Sequence, residues 1–146
     1  SLQHFIRSVY IGETIAQGFE IRRLYRKDDP VYAGKFIDSV ATEVITSLDI
    51  RKNRETREFL ELDGYLLITY LLEKESPLYV EGLGREVRKS QTSIMRMTVD
   101  SMEIFENGSL SDPFGLVVEG YIGWERVGDL LPIDYLPTTE FKRGVQ

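Results

Sequence analysis

Gly64–Glu73 reads GYLLITYLLE, and the fold follows from how this run is interpreted. It is apolar on both faces, with Leu66, Leu67, Ile68, Leu71 and Leu72 broken only by Thr69 and Tyr70, and it is about half the length a bilayer-spanning helix requires. A short run of this kind, opened by Gly64 and closed by Ser76-Pro77, predicts a central β-strand covered on both sides. Other strands must therefore flank it, and the rest of the chain has to supply them.

Upstream, Phe19, Ile21, Arg23 and Tyr25 alternate with Glu20, Arg22, Leu24 and Arg26, which predicts a half-buried strand ending at the turn Asp28-Asp29-Pro30. Lys35–Leu48 is rich in β-branched residues and predicts further strands. Asp49–Glu58, crowded with charge, reads as a solvated connection. Downstream, Pro77–Ser90 combines Gly82, Gly84 and many charges, the composition of a mobile loop. Ser93–Arg96 and Ser101–Phe105 lead into Glu106-Asn107-Gly108, a hairpin-turn signal, because Asn and Gly both accept positive φ. Leu110–Val118 supplies the return, interrupted at Asp112-Pro113. Asn107-Gly108-Ser109 also matches a glycosylation acceptor on an exposed turn.

Two helices frame these strands. Leu2, Phe5, Ile6, Val9 and Tyr10 fall on one helical face, with Ser1 placed to cap and Gly12 to stop it. Near the other end, Trp124, Val127, Leu130 and Leu131 fall on one side of a short helix, with Trp124 as a buried anchor. The class predicted is α+β in a single domain: mainly antiparallel sheet, an N-terminal amphipathic helix and a short C-terminal helix.

The 146 residues suffice to bury roughly two thirds of the unfolded surface. A net charge of −6 and a pI near 4.9 argue against a sequence-independent grip on nucleic acid. The basic clusters, Arg22-Arg23 with Arg26-Lys27 and Arg51-Lys52 with Arg54, each stand beside acids. With no cysteine there is no disulfide, thiolate metal site or Cys nucleophile. The sequence holds no G-x-S-x-G, dinucleotide or P-loop pattern. His4 is the one histidine, off the apolar stripe and without a second nitrogen ligand to share a metal. Asp28, Asp29 and Asp38 lack the ligand ladder of a calcium loop. No catalytic residue, metal site or cofactor is assigned. The one enzymatic alternative is a carboxylate-dependent hydrolase using Glu119, Glu125, Asp129 and Asp134.

The two ends carry a family resemblance. Ser1-Leu2-Gln3-His4-Phe5-Ile6-Arg7 with Gly18-Phe19-Glu20-Ile21, and Gly120-Tyr121 through Trp124-Glu125-Arg126-Val127 to Leu130-Leu131-Pro132 and Asp134-Tyr135, form a matched opening and closing block. The pattern resembles the region downstream of the carboxypeptidase regulatory-like domain in Bacteroidetes cell-envelope proteins, a family of unknown function. The resemblance implies an extracytoplasmic address, periplasm or cell surface, in a longer protein whose preceding module is a transthyretin-type β-sandwich. It implies no peptidase activity. On this basis the chain is expected to be a non-catalytic structural or interaction domain with an envelope protein, peptide or glycan as partner. The alternative is a peptide- or glycan-binding module that uses Tyr121, Trp124, Arg126 and Tyr135 as its contact residues.

Overall fold

A computed structural model of the chain describes residues 1–130. The first helix, α1 (Leu2–Ile11), forms where its caps predict. The Ser1 hydroxyl accepts the His4 N–H at 3.2 Å, and Gly12 closes the helix in the left-handed region, φ 75°, its N–H on the Ser8 and Val9 carbonyls. Phe5, Ile6 and Val9, spaced along one face, are completely buried.

Strands β1 (Phe19–Asp28) and β2 (Phe36–Ile45) form an antiparallel hairpin, and β5 (Tyr65–Tyr70) lies on the other side of β1. Strands β6 (Gln91–Met97) and β8 (Leu116–Gly120) extend the same sheet, giving the all-antiparallel order β2-β1-β5-β6-β8. The GYLLITYLLE run is thus the middle strand. Its pairing fixes the two faces: Leu66 and Ile68, aligned with Arg23 and Ile21, face the core, whereas Tyr65 and Leu67 share the opposite face with Leu24 and Arg22. Leu24 is buried on that opposite face, so β1 is covered on both sides at that point rather than strictly alternating.

The charged Asp49–Glu58 segment is not a solvated connection. Thr46 caps a single helical turn, α2 (Ser47–Ile50), in a capping box with Asp49, so the strand expected to run to Leu48 stops at Ile45. A hairpin of β3 (Arg51–Arg54) and β4 (Arg57–Leu60) follows, its turn made by Glu55 and Thr56 at φ 53° and 65°. With β7 (Met102–Ile104) it forms a second sheet, β3-β4-β7. Side chains here split by function: Ile50 and Leu60 enter the core, while Arg57 pairs with Glu103 and Arg54 with Glu61 at the surface.

The core thus joins one face of α1 to residues of both sheets: Phe19, Ile21, Leu66, Ile68 and Met95 from the large one, Leu60, Met102 and Ile104 from the small one. Arg51, at the start of β3, donates to the Val9 and Tyr10 carbonyls at 3.3 and 2.6 Å and so ties the small sheet to the C-terminal end of α1. The Asn107-Gly108 turn is docked rather than merely exposed. A Cβ on Gly108, at φ 87°, would stand 2.3 Å from the Gln3 carbonyl oxygen, and the Gln3 amide donates to the Asn107 carbonyl at 2.8 Å.

Pro77–Ser90 is likewise pinned in place. A helical turn, α3 (Pro77–Val80), starts it under a Ser76 cap, and buried Glu75 holds the far side. Arg85 grips the Glu75 carboxylate with two hydrogen bonds of 2.7 and 2.9 Å, and the Arg88 N–H adds a third at 2.8 Å. A 3₁₀ turn at Pro113–Gly115 leads into β8, and Gly120 at φ 86° turns the chain into α4 (Tyr121–Leu130).

Candidate functional site

Tyr121, Trp124 and Arg126 all lie on α4; Tyr121 and Trp124 pack against each other, whereas Arg126 lines a hollow with Leu2, Gln3 and Pro113. Tyr121 is buried, its hydroxyl accepting the Ser76 N–H at 3.0 Å, and burial pushes its phenol pKa up. Trp124 is half-buried, with ring centroids 5.4 Å from Tyr79 and 5.3 Å from Tyr121, and Tyr79 sits 4.8 Å from Tyr121. Arg85, already bound to Glu75, lies over the Tyr79 ring at 5.9 Å. These three rings clasp the 77–90 segment onto α4, with Ile122 buried beside them and its N–H on the Ser93 hydroxyl at 2.9 Å. Val127, expected on the packed side with Trp124, is 59% exposed: the helix meets the sheet through Tyr121 and Ile122, one turn earlier. Leu131 and Tyr135 lie outside the described residues.

Trp124→Ala should therefore cost about 2 kcal/mol, less than a fully buried Trp, since it removes two aromatic contacts and a half-buried ring. Chemical denaturation checks the value; an unchanged midpoint would mean the clasp adds nothing.

Of the acids expected to crowd one region, Glu119 and Glu125 have different partners. Glu119, on β8, accepts from Arg26 at 2.7 Å, whereas Glu125 lies 3.7 Å from the Ser1 amine. Asp134 lies outside the described residues, as does the side chain of Asp129. Asp28, Asp29 and Asp38 do not converge either. Asp29 accepts the Val31 and Tyr32 N–H groups at 2.8 and 3.2 Å, and Asp38 is taken by Arg26. No group of three or more metal-ligating side chains occurs among the described residues. His4 packs edge-on against Phe19 and Tyr70, its Nε2 3.0 Å from the Gln17 side-chain oxygen.

A cleft of about 950 Å³ opens where β1, β5 and β6 meet the small sheet. Arg23 and Lys52 face Asp49, Glu61, Asp63 and Asp100 in its lining, so it presents no single sign of charge. Glu61 is already held by Arg54, which keeps its carboxyl below the ordinary range. Tyr65 also lines the cleft, and the Arg26 guanidinium covers one face of its ring at 4.8 Å.

Arg26 organises the other face of the large sheet. It forks onto Asp38 with bonds of 2.8 and 2.9 Å, reaches Glu119, and lies over both the Phe36 and Tyr65 rings. Asp38 accordingly holds its proton less tightly than an ordinary carboxyl, and Arg26 more tightly.

Beyond this network lies β2, one of the two outer strands of the large sheet, paired only with β1. Every residue from 31 to 40 is exposed. Phe36, Ile37, Val40 and Val44 are apolar and exposed along its length, with Val31 and Tyr32 in the preceding turn. The sequence signals a strand here through its β-branched residues, but nothing in its pattern distinguishes an edge from an interior strand. The ladder shifts between Arg22 and Leu24, where residues 41–43 of β2 stand opposite Arg23 alone. Val40 and Val44 stay on the same face across this bulge, because their partners Leu24 and Arg22 do.

No helix among the described residues is long and apolar enough to cross a membrane. No protein-family model, curated protein or solved structure matches the chain.

Proposed function

We propose that the chain is a non-catalytic interaction domain of an extracytoplasmic cell-envelope protein, and that its contact element is β2. The resemblance of the two end blocks to a Bacteroidetes envelope region supports the address. One observation carries the mode of action: a ten-residue outer strand keeps one backbone edge unpaired within the described chain and displays Phe36, Ile37, Val40 and Val44 to solvent.

Folded proteins ordinarily blunt such an edge with Lys, Pro, a bulge or a covering segment, since free N–H and C=O groups template further pairing. Here the bulge is present, but no Lys or Pro lies within Phe36–Ile45. Strand addition would satisfy the free backbone groups and bury the apolar side chains in one step. By contrast, Tyr121 and Trp124 are occupied in holding α4 to the 77–90 segment.

A Val40→Lys variant tests the proposal, because it places a charge in the exposed row without touching the core. Immobilised wild-type chain should retain a discrete envelope protein that the variant loses by at least fivefold, at equal far-UV circular dichroism. Equal retention by both chains would remove β2 as the contact element.

A further inference from the structure

Resting on the reading of β2 as the contact element, we propose that its partner is a second copy of this chain, with the two β2 strands antiparallel about a two-fold axis at Val40. The side-chain sequence of the strand is self-complementary in this register. Residues opposite one another in an antiparallel ladder share a face, so even positions of one copy meet even positions of the other. With the axis at Val40, that residue faces its own counterpart, Phe36 faces Val44 at both ends, and Asp38 faces Thr42.

Apolar matching selects this register over its neighbours: an axis at Ser39 would set Lys35 directly opposite Glu43 but would break the Val40–Val40 and Phe36–Val44 pairs. An axis at Ser39 or at Ala41 sets Asp38 against Val40 or against Val44. With the axis at Val40, Asp38 meets a hydroxyl, and its charge is already compensated by Arg26. On the other face Glu43 lies opposite Ile37 and diagonal to Lys35, within reach of a long side chain. Neither Lys35 nor Glu43 has an ion-pair partner among the described residues, and the two-fold axis makes the Lys35–Glu43 contact twice. The bulge is compatible with the pairing, since Val40 and Val44 remain on one face and Phe36 meets Val44 there.

Sedimentation velocity over a concentration series tests the proposal on the intact chain. The wild-type mass should rise with concentration from 16.9 kDa toward twice that value. Val40→Lys should stay monomeric. Lys35→Glu should weaken the dimer about tenfold by setting two acids against each other twice, and Lys35→Glu with Glu43→Lys should restore it. All these positions are exposed, and unchanged circular dichroism verifies that each variant folds.

A wild-type chain that is monomeric at every concentration overturns the inference, as does a dimer indifferent to Val40→Lys or a double variant no tighter than Lys35→Glu. A monomer whose Val40→Lys variant still loses an envelope partner would overturn self-pairing and leave the interaction-domain reading standing. A dimer broken by Val40→Lys, with envelope capture unaffected, would leave self-pairing standing and remove β2 as the contact for the envelope protein.

Discussion

Glu75→Gln should lower the unfolding free energy by about 3 kcal/mol, and it should also erase an acid-side loss of stability expected of the wild-type chain. Glu75 is 2% exposed and takes three hydrogen bonds, two from the Arg85 guanidinium and one from the Arg88 N–H. Removing one member of a buried pair leaves the other without compensation, at a cost of about 3–5 kcal/mol, and the partial exposure of Arg85 places the value at the low end. The pH dependence has a definite sign. Arg85 holds the Glu75 carboxyl below the ordinary carboxylate range. The unfolded chain therefore takes up this proton first. The stabilisation is complete above the unfolded-chain pKa of about 4.3 and is lost as pH falls through the lower folded value. Thermal unfolding of both chains from neutral pH to pH 3 reads the effect: the gap between them should narrow on acidification. A constant gap would mean that the Glu75 charge contributes nothing.

Phe5→Ala should be more damaging still, about 3–5 kcal/mol. Phe5 has no exposed surface and meets Phe19 edge-on at a centroid distance of 5.2 Å. Its cavity would open in the core shared by α1 and both sheets, where neighbours from several elements would have to shift to fill it. Equilibrium denaturation with urea reads the loss directly, and a cost under about 1 kcal/mol would mean that the core repacks around the missing ring.

What the sequence discloses of this architecture depends on how local each cause is. The centre of the sheet was legible because β5 is apolar on both faces over a span too short for a membrane helix. The first helix was legible because Ser1, Gly12 and the spacing of Phe5, Ile6 and Val9 agree. The β3–β4 hairpin was hidden because its turn uses Glu55 and Thr56 in the left-handed region without a glycine or asparagine, and because its arginines imitate a solvated linker. Pro77–Ser90 reads as mobile because its order comes from a pair ten residues apart, Glu75 and Arg85, that no periodicity announces.

The candidate surface was the least legible part. The Gly120–Pro137 block draws attention through its rings, yet Tyr121 is taken up beneath Ser76 and Trp124 is packed against Tyr79. The exposed row on β2 consists of ordinary aliphatic residues and one Phe. Its standing comes from being outermost, and strand order is a property of the whole sheet.

The position of α1 has a kinetic consequence. The helix comes first in the chain, but its apolar face is covered by strands that lie as late as β8. During synthesis Phe5, Ile6 and Val9 leave the ribosome long before Met95, Met102 and Leu116 exist to cover them. A ten-residue helix is marginal by itself in water. The nascent chain must therefore carry an unsheltered greasy segment until these later strands emerge, and close its longest loops last. Non-local contacts of this kind slow folding and make α1 a natural landing site for a chaperone.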